Sequence, residues 1–498
     1  MSEIAIREAS SSETARRSEP QEPLWTGLGL VAPLEARISG GAPRRGATGV
    51  SIDTRTLCPG DLFFAISGFN SDGHDYVAAA LEKGALAAVV DEAHAESLAR
   101  LGPLYVVRDD VLAALERLGV AARARTRARI AAVTGSVGKT STKEALRLAL
   151  SAAGRTHASV ASYNNHWGVP LTLARMPRQT EFGVFEIGMN HQGEITPLTR
   201  MVRPHVAIIT TVAPVHMENF TGVEAIADAK AEIFAGLEPG GVAILPADNP
   251  QFERLAAAAK RSAAGLVTSF GADKHAEARL LDVRLAADHS MVEADICGQL
   301  LTYRLGAPGR HLAMNSLAVL LAAKALGVDP REAAQTLASF AAQPGRGQRL
   351  ELQAPDGAFT LIDESYNANP ASMRAAFDLA GALAPPSPGR RVAVLGDMLE
   401  LGSHAADMHA GLAQDLAANH FDLVFAAGPL CKHLFDALPA AMRGEWRENA
   451  QMIAPAVAAA VHAGDLVIVK GSNGSKMSAV VEALKHAASN GSNEGRTA

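Results

Sequence analysis

The sequence predicts an α/β protein of three domains, with a central parallel sheet of the P-loop type between a small N-terminal α/β domain and a C-terminal Rossmann-like domain. Three observations support this fold class. The 498 residues correspond to three domains of roughly 150 residues each. Short apolar runs alternate with helical patterns, as expected for parallel strands connected by helices. A glycine-rich loop joins one of these runs to a helical pattern, in the order of a mononucleotide-binding unit.

The order of strand and helix patterns, and the segment QPGRG at 343–347, place domain boundaries near residues 108 and 343. The polar residues at the start of the chain are typical of disorder, and Ser, Asn and Gly at its end are typical of a frayed terminus. The predicted segments are a disordered extension (1–22), an N-terminal domain (23–108), a central domain (109–343), a C-terminal domain (344–488) and a flexible tail (489–498).

Hydrophobic periodicity predicts the main elements of the last two domains. The central domain has predicted strands at 130–134, 182–187, 206–212 and 241–245, and predicted helices at 109–125, 140–153 and 223–237. The C-terminal domain has predicted strands at 359–362, 392–395, 423–426 and 466–469, and predicted helices at 371–383, 408–418 and 476–486.

The composition argues against several classes of protein. Charged residues make up 20% and the mean hydropathy is +0.08, typical of a soluble globular chain. The net charge of -6 provides no positive field for nucleic acid, and no apolar run reaches the roughly 18 residues that cross a bilayer. The N-terminus lacks the apolar stretch of a secretory signal, and Cys58, Cys297 and Cys431 are widely spaced. We therefore expect a cytoplasmic protein that neither binds nucleic acid nor inserts into a membrane.

The strongest chemical signal is the segment TGSVGKTS at 134–141, between a predicted strand and a predicted helix. Its glycines let the backbone approach a phosphate, Lys139 supplies a positive charge and the Thr140 hydroxyl can bind magnesium. The loop is shorter than the usual pattern, because Val133 stands where that pattern has its first glycine. A glycine-rich turn with a solvated lysine is the alternative, but the flanking elements favour nucleotide phosphate binding.

Three central residues could extend this site. Glu186 ends a predicted buried strand, where a carboxylate either pairs with a buried base or binds magnesium, and we favour the metal. His216 follows a predicted strand and Lys230 lies on a predicted helix. By spacing alone, His216 is more often a core histidine and Lys230 more often a solvated helix lysine than a site residue.

Two further polar segments are candidates for ligand binding. The segment LIDESYNANP at 361–370 runs from a strand into a loop, and its acidic pair suits a ribose or an amine unless the segment is simply a polar turn. Near the N-terminus, SIDTR at 51–55 and DGHD at 72–75 form a cluster with one arginine, which suits a phosphate or a carboxylate.

Together these segments resemble the Mur ligases, the ATP-dependent amide-forming enzymes of peptidoglycan precursor synthesis. The shortened phosphate loop is similar to their ATP signature. Similarity extends over about residues 49–482 and includes NNHWGVPLTL at 164–173, GMNHQGEI at 188–195, SYNANP at 365–370 and GDMLELG at 396–402. The resemblance implies an N-terminal UDP-sugar-binding domain, a central ATPase domain and a C-terminal domain that closes over the site.

The resemblance also implies roles for individual residues. Lys139, Lys230, Glu186 and His216 would be catalytic, and Lys230 would be carbamylated. Two Mg²⁺ ions would be held by Thr140, Glu186, His216 and the modified Lys230. ATP would be bound by Gly135, Ser136, Val137, Gly138, Lys139, Thr140, Ser141, Asn315, Arg346 and Asp363. The other substrates would be bound by Ser51, Asp53, Arg55, Gly73, His74, Asn164, Asn165, Glu364, Tyr366, Asn367 and Asn369.

The activity that the resemblance implies is the joining of D-alanyl-D-alanine to UDP-N-acetylmuramoyl-tripeptide by a monomer, through an acyl phosphate and with ATP consumed. A hinge is expected at 343–346. Leu312 and Pro246 depart from the family pattern, which often has asparagine at both positions, and this leaves the adenine pocket undefined.

Three alternatives remain at this point. A sister ligase that adds a diamino acid typically carries Asp-Asn-Pro-Arg in its C-terminal domain, whereas here the similar string is Asp248-Asn-Pro-Gln in the centre. A P-loop switch protein would not need the N-terminal cluster or the SYNANP loop. A structural scaffold would not need the phosphate loop.

Overall fold

The computed structural model describes residues 23–494 except 44, 69–70 and 387. The predicted extension 1–22 and residues 495–498 of the predicted tail lie outside the described residues. The described residues form sheets of five, nine and six strands, and helices cover them. The predicted α/β class, with mainly parallel sheets, is confirmed.

The N-terminal sheet has the strand order β1-β5-β4-β3-β2, and β1 is antiparallel to β5 while the other neighbours are parallel. Its strands are β1 (Arg37–Ser39), β2 (Gly49–Ser51), β3 (Asp61–Phe64), β4 (Ala87–Asp91) and β5 (Leu104–Val107). The helices of this region are α1 (Val31–Leu34), α2 (Val77–Glu82), α3 (Ala95–Leu98) and α4 (Val111–Ala124).

Helix α4 lies after the predicted boundary at residue 108, yet its apolar side packs into the N-terminal core. Leu115 and Leu118 are fully buried there, in one cluster with Leu62 of β3. Leu171 of the central region belongs to the same cluster. The helix therefore joins the two regions through a shared apolar core.

The central sheet has the order β14-β13-β12-β11-β10-β9-β6-β8-β7. Its strands are β6 (Arg129–Thr134), β7 (Thr156–Ala158), β8 (Phe182–Glu186), β9 (Val206–Ile209), β10 (Gly241–Pro246), β11 (Ala264–Gly271), β12 (Ala278–Leu285), β13 (Ser290–Ile296) and β14 (Gln299–Leu305). The helices are α5 (Lys139–Ser151), α6 (Gly168–Ala174), α7 (Ile195–Val202), α8 (Val223–Ala231), α9 (Phe252–Lys260), α10 (Arg310–Ala325) and α11 (Pro330–Thr336).

The four predicted central strands are present, but β12–β14 form an antiparallel extension that the sequence analysis missed. Buried residues alternate with partly exposed ones along β13, since one face of this extension packs in a core with α10. The predicted helix 223–237 is also shorter than expected, because α8 continues as a 3₁₀ helix at Glu232–Gly236.

Strand β6 occupies the switch point of the central sheet. Its neighbours are β8 on one side and β9 on the other, and both are parallel to it. Carboxyl ends of parallel strands at a switch point border a crevice in which ligands bind. The loop after β6 and the end of β8 therefore lie at this crevice.

The C-terminal sheet has the order β15-β16-β20-β17-β18-β19, and it is parallel apart from the β15–β16 pair. Its strands are β15 (Gln348–Ala354), β16 (Gly357–Glu364), β17 (Arg391–Gly396), β18 (Leu423–Ala427), β19 (Arg443–Arg447) and β20 (Leu466–Lys470). Its helices are α12 (Pro370–Ala382), α13 (Ala405–Ala418), α14 (Cys431–Ala437), α15 (Ala450–Ala460) and α16 (Ser478–Glu494).

Helix α16 extends into the segment predicted as a flexible tail, since residues 489–494 are helical. Within the described part of the chain, no helix combines the length and apolar character that spanning a bilayer requires.

Candidate active site

A cavity of about 710 Å³ lies between the central and C-terminal domains and brings most of the predicted site residues together. The central domain contributes the loop after β6, the end of β8 and the start of α10, and the C-terminal domain contributes the loop after β16. The predicted residues that line it are Ser136, Val137, Gly138, Lys139, Thr140, Ser141, Asn164, Glu186, His216, Asn315, Arg346, Glu364, Tyr366, Asn367 and Asn369.

Two glycines give the phosphate loop its shape. Gly135 and Gly138 have φ angles of 150° and 85°, in the region that favours glycine. A Cβ atom at Gly135 would lie 1.9 Å from Thr210 Oγ1, and one at Gly138 would lie 2.5 Å from Asn315 Nδ2. The loop therefore requires glycine at both positions, and it ends at the N-terminus of α5.

Lys139 folds back over this loop. Its Nζ donates a 2.8 Å hydrogen bond to the Gly135 carbonyl oxygen. Burial lowers the pKa of Lys139, the charge of Glu186 raises it and the charge of Arg346 lowers it. An anion bound at the loop would stabilise the charged ammonium and offset its desolvation.

Two buried oxygens at the site fit a hard cation. Among the residues that the structure describes, Thr140 Oγ1 and Glu186 Oε2 are both buried without a hydrogen-bond partner, while Glu186 Oε1 accepts a 2.7 Å hydrogen bond from Asn164 Nδ2. An unpartnered buried carboxylate oxygen is costly, and hydroxyl and carboxylate oxygens are ligands that Mg²⁺ prefers. The donor set present therefore fits magnesium.

His216 meets the C-terminal domain directly. Its Nδ1 makes a short hydrogen bond with Glu400 Oε2, and the Glu218 backbone N–H donates to the Glu400 carbonyl oxygen at 3.4 Å. The hydrogen bond with His216 lowers the pKa of Glu400. The sequence analysis assigned no role to Glu400, although it lies in the GDMLELG segment.

Lys230 is buried on α8, with 2% of its surface exposed. Burial, and then the charge of nearby Lys139, lower the pKa of Lys230 well below its usual range. Among the described residues its amine makes no hydrogen bond or ion pair, and it does not form part of the wall of the 710 Å³ cavity. The solvated-lysine alternative is therefore wrong.

Asp363 does not line this cavity, although the sequence analysis placed it with the ATP-binding residues. Its carboxylate accepts hydrogen bonds from the Gly345 backbone at 3.0 Å and from the backbone and hydroxyl of Ser365 at 3.0 and 2.6 Å. These bonds fix the turn after β16 against the predicted hinge. Asp363 thus organises the backbone beside the cavity.

Arg346 connects the same hinge to the central domain. Its Nη2 donates a 2.9 Å hydrogen bond to Ser162 Oγ, and its guanidinium carbon lies 3.9 Å from the ring centroid of Tyr366. The stacking fixes the plane of the guanidinium, whose other N–H groups remain suited to an anion in the cavity.

Glu364 has a partner that the sequence analysis missed. Lys470, at the end of β20, is 2% exposed and donates to Glu364 Oε2 at 2.9 Å and to the Asn367 carbonyl oxygen at 3.0 Å. Asn369 caps α12 by accepting from the Ser372 backbone at 2.9 Å. The apolar run before Lys470 predicted strand β20, but the pairing across strands was not readable from sequence.

The predicted N-terminal residues Ser51, Asp53, Arg55, Gly73 and His74 lie outside this cavity. Asp53 pairs with Arg55 at 2.7 Å, and the Ser51 hydroxyl donates to the Asp53 carbonyl oxygen at 3.0 Å. His74 is buried, lies 2.7 Å from Asp72 and stacks on His94 with ring centroids 3.9 Å apart. These contacts form two local clusters.

A second cavity, of about 1460 Å³, extends from β2 to the phosphate loop. It shares Thr140, Ser162, Arg346 and Tyr366 with the first cavity. Asn165 lines neither cavity, since its Oδ1 accepts from the Gly168 backbone at 3.0 Å at the start of α6. These four residues therefore lie between the two cavities, and the second cavity reaches from the N-terminal sheet to the residue that follows Lys139.

Three protein-family models match this chain between residues 47 and 473, close to the span 49–482 over which its motifs resemble Mur ligases. Residues 47–145 match the Mur ligase family catalytic domain, residues 133–323 the Mur ligase middle domain, and residues 345–473 the glutamate ligase domain of Mur ligases. The UDP-N-acetylmuramoyl-tripeptide–D-alanyl-D-alanine ligase of Rickettsia prowazekii is 30% identical over 459 residues, which cover 92% of this chain and 99% of that protein. The chain belongs to the Mur ligase family.

Solved structures of Mur ligases share the whole architecture. MurF from Acinetobacter baumannii matches with a TM-score of 0.81 and 28% identity, over 94% of this chain and 100% of that one. MurF from Thermotoga maritima in complex with ADP matches with a TM-score of 0.74 and 25% identity, over 89% of this chain and 98% of that one. The family resemblance inferred from the motifs is therefore confirmed.

Proposed function

We propose that this Mur ligase joins D-alanyl-D-alanine to UDP-N-acetylmuramoyl-tripeptide, converting ATP to ADP and phosphate and making the UDP-muramoyl-pentapeptide precursor of peptidoglycan. The relative from Rickettsia prowazekii bears the name of this activity over nearly its whole length. The observation that carries the proposal is the 710 Å³ cavity, in which the phosphate loop of one domain faces Glu364 and Tyr366 of another.

The chemistry explains why a phosphate loop and an amine site share one cavity. A carboxylate oxygen of the tripeptide attacks the γ-phosphorus of ATP, and the bond to the β,γ-bridging oxygen breaks, giving an acyl phosphate and ADP. The amine of the dipeptide then attacks the activated carbonyl carbon, loses a proton and expels phosphate. Lys139 and the loop amides stabilise charge on the transferring group.

Magnesium is the proposed metal, and when bound it would balance charge on the phosphates. Thr140, Glu186 and His216 would hold it, since two of them carry the unpartnered oxygens described above. We further propose that Lys230 reacts with carbon dioxide and loses a proton, which gives a carbamate with an anionic oxygen for a second Mg²⁺. Only a neutral amine can react in this way, and the lowered pKa of Lys230 supports that condition.

The position of Arg346 supports a role for domain closure. It bridges the hinge to Ser162 and borders both cavities, so the acceptor could reach Lys139 from the N-terminal side while ATP enters from the other. A closed cavity protects an acyl phosphate from water. We also propose that the protein acts as a monomer, and the requirement for ATP supports a cytoplasmic location.

The deciding experiment combines the purified protein with ATP, Mg²⁺ and UDP-muramoyl-tripeptide, with and without D-alanyl-D-alanine, and weighs the products by mass spectrometry. We expect pentapeptide, ADP and phosphate only when the dipeptide is present. Turnover with a diamino acid and the matching dipeptide acceptor, in place of these substrates, would assign a sister ligase. Full-rate phosphate release without any amine would indicate a nucleotide hydrolase.

A further inference from the structure

Two residues with unusual backbone conformations meet across the interface of the central and C-terminal domains. His216 has a φ of 54° and Glu400 a φ of 63°, so both adopt the left-handed conformation that residues other than glycine rarely occupy. Such residues persist where the surrounding structure fixes them, often at functional sites. Here the Nδ1 atom of one side chain is hydrogen-bonded to the carboxylate of the other.

Contacts within the C-terminal domain fix the two residues that precede Glu400. The backbone N–H of Met398 donates to His409 Nε2 at 2.9 Å, and that of Leu399 donates to Ser472 Oγ at 2.9 Å. His409 is fully buried and is itself oriented by its Nδ1, 2.6 Å from the Ala405 carbonyl oxygen. The segment before Glu400 therefore moves with its own domain and meets His216 only when the domains adopt this arrangement.

The hydrogen bond also determines which ring nitrogen carries the proton. A carboxylate only accepts hydrogen bonds, so His216 Nδ1 must donate. In the neutral ring Nε2 then has the free lone pair that a cation needs. Histidine ligands of metals commonly donate their other ring N–H to a carboxylate, which orients the ring and raises its basicity.

We propose that Glu400 is a positioning residue that orients His216 for cation binding, so that closure of the C-terminal domain completes the cation site of the central domain. This inference rests on the proposed function, because it takes His216 as a cation ligand. Glu400 acts through His216 and touches no substrate in this scheme. A change at Glu400 should therefore lower the affinity for the cation directly, and lower the ligation rate only as a consequence.

The test is a titration of the full-length protein with Mn²⁺ in the presence of a non-hydrolysable ATP analogue, followed by electron paramagnetic resonance. Glu400→Ala should weaken Mn²⁺ binding about 10- to 100-fold. Glu400→Gln should weaken it less, because the amide oxygen still accepts from Nδ1. Glu400→Gly removes the side chain and suits the left-handed backbone, so a loss equal to that of the alanine variant would exclude misfolding as the cause.

Glu218→Gln is the matched control, since it removes one carboxylate at the same interface and leaves the His216–Glu400 pair intact. We expect its Mn²⁺ affinity to equal that of the wild type. Equal losses in Glu400→Gln and Glu400→Ala would overturn the proposal, because they would show that the charge or direct ligation matters. Wild-type affinity in Glu400→Ala would also overturn it.

The failure of this inference is distinguishable from the failure of the proposed function. Pentapeptide synthesis by the wild type decides the function and does not involve the variants. If the wild type makes pentapeptide and Glu400→Ala binds Mn²⁺ normally, the positioning role is refuted and the function stands. If the wild type makes no pentapeptide but Glu400→Ala loses more Mn²⁺ affinity than Glu400→Gln, the function is refuted and the positioning role stands.

Discussion

Glu186 accepts a 2.7 Å hydrogen bond from Asn164 Nδ2 through one carboxylate oxygen, while its other oxygen is buried with no partner in the described part of the chain. The two residues lie at the carboxyl end of β8 and in the loop before α6. Asn164 thus fixes the plane of the carboxylate and leaves Oε2 available to a ligand. The Asn164 amide thus makes the two oxygens of Glu186 different, because it hydrogen-bonds to Oε1 only.

Asn164→Ala should therefore weaken the site. The substitution leaves Glu186 Oε1 unpaired in a side chain that is 1% exposed, and it removes the hydrogen bond that fixes the plane of the carboxylate. We expect the apparent Mg²⁺·ATP affinity to fall about 10-fold, as for other residues that orient a metal ligand. Steady-state kinetics at varied Mg²⁺ measure this, and Asn419→Ala, which lies away from both cavities, should leave the kinetics unchanged.

Two threonines of α5 allow the loss of a cation ligand to be distinguished from a loss of stability. Thr140 and Thr142 are both buried, and neither hydroxyl has a hydrogen-bond partner among residues 23–494 as described, but only Thr140 borders the cavity. Replacing either with valine removes an unsatisfied polar atom, so neither variant should have a lower melting temperature. Thr140→Val should lose ligase activity by about 100-fold or more because a cation ligand is lost, whereas Thr142→Val should keep it. Equal activities of the two variants would refute the ligand role of Thr140.

The phosphate loop and Glu186 could be predicted from sequence because each depends on a strand and the residues directly after it. The acidic pair at 363–364 was harder, since neighbouring residues of a strand point to opposite sides. Asp363 turns to the backbone of Gly345 and Glu364 turns to the cavity, and only the structure assigns these directions.

Contacts between distant segments were beyond the sequence analysis. Glu400 is 184 residues from His216, and their pairing depends on how two domains meet. The helical spacing around Lys230 was equally compatible with exposure, because burial there depends on what packs against α8. Local patterns determine elements, whereas these two assignments depend on tertiary packing.

Lys143, one turn after Lys139, should stabilise the conformation of the loop that carries Asn164. Its ammonium is fully buried and donates to the carbonyl oxygens of Ser159 and Ala161 at 2.8 and 3.0 Å. Lys143→Met would leave both acceptors unpaired, and we expect a loss of about 3 kcal/mol in unfolding free energy. Hydrogen exchange should rise at residues 159–164. In Glu144→Gln, which keeps a hydrogen-bond acceptor beside Lys143, exchange of this loop should stay near wild type.

His157 on β7 should make the protein acid-sensitive. Burial lowers its pKa to about 4, against the effect of its 2.8 Å hydrogen bond with the Thr172 carbonyl oxygen. Between that value and the unfolded-state pKa near 6.5, the unfolded chain binds a proton that the folded chain does not. Stability is therefore complete above about pH 6.5 and falls as the pH drops to about 4, by at most about 3 kcal/mol. Calorimetry of His157→Gln, which keeps an N–H for Thr172, should show a weaker loss of stability over this range; an unchanged pH profile would contradict the assignment.

The carbamate proposed at Lys230 can be tested through the space that a truncation creates. Lys230→Ala should abolish ligation and leave a cavity on α8, so a millimolar short-chain carboxylic acid should occupy it and partly restore turnover. Lys230→Met should also be inactive but should resist rescue, because its side chain fills the same volume. The methionine variant should melt no lower than the wild type, since it removes an amine whose charged form is disfavoured by burial and by the charge of Lys139, as the lowered pKa of Lys230 indicates. Wild-type turnover in either variant, or equal rescue of both, would refute the carbamate.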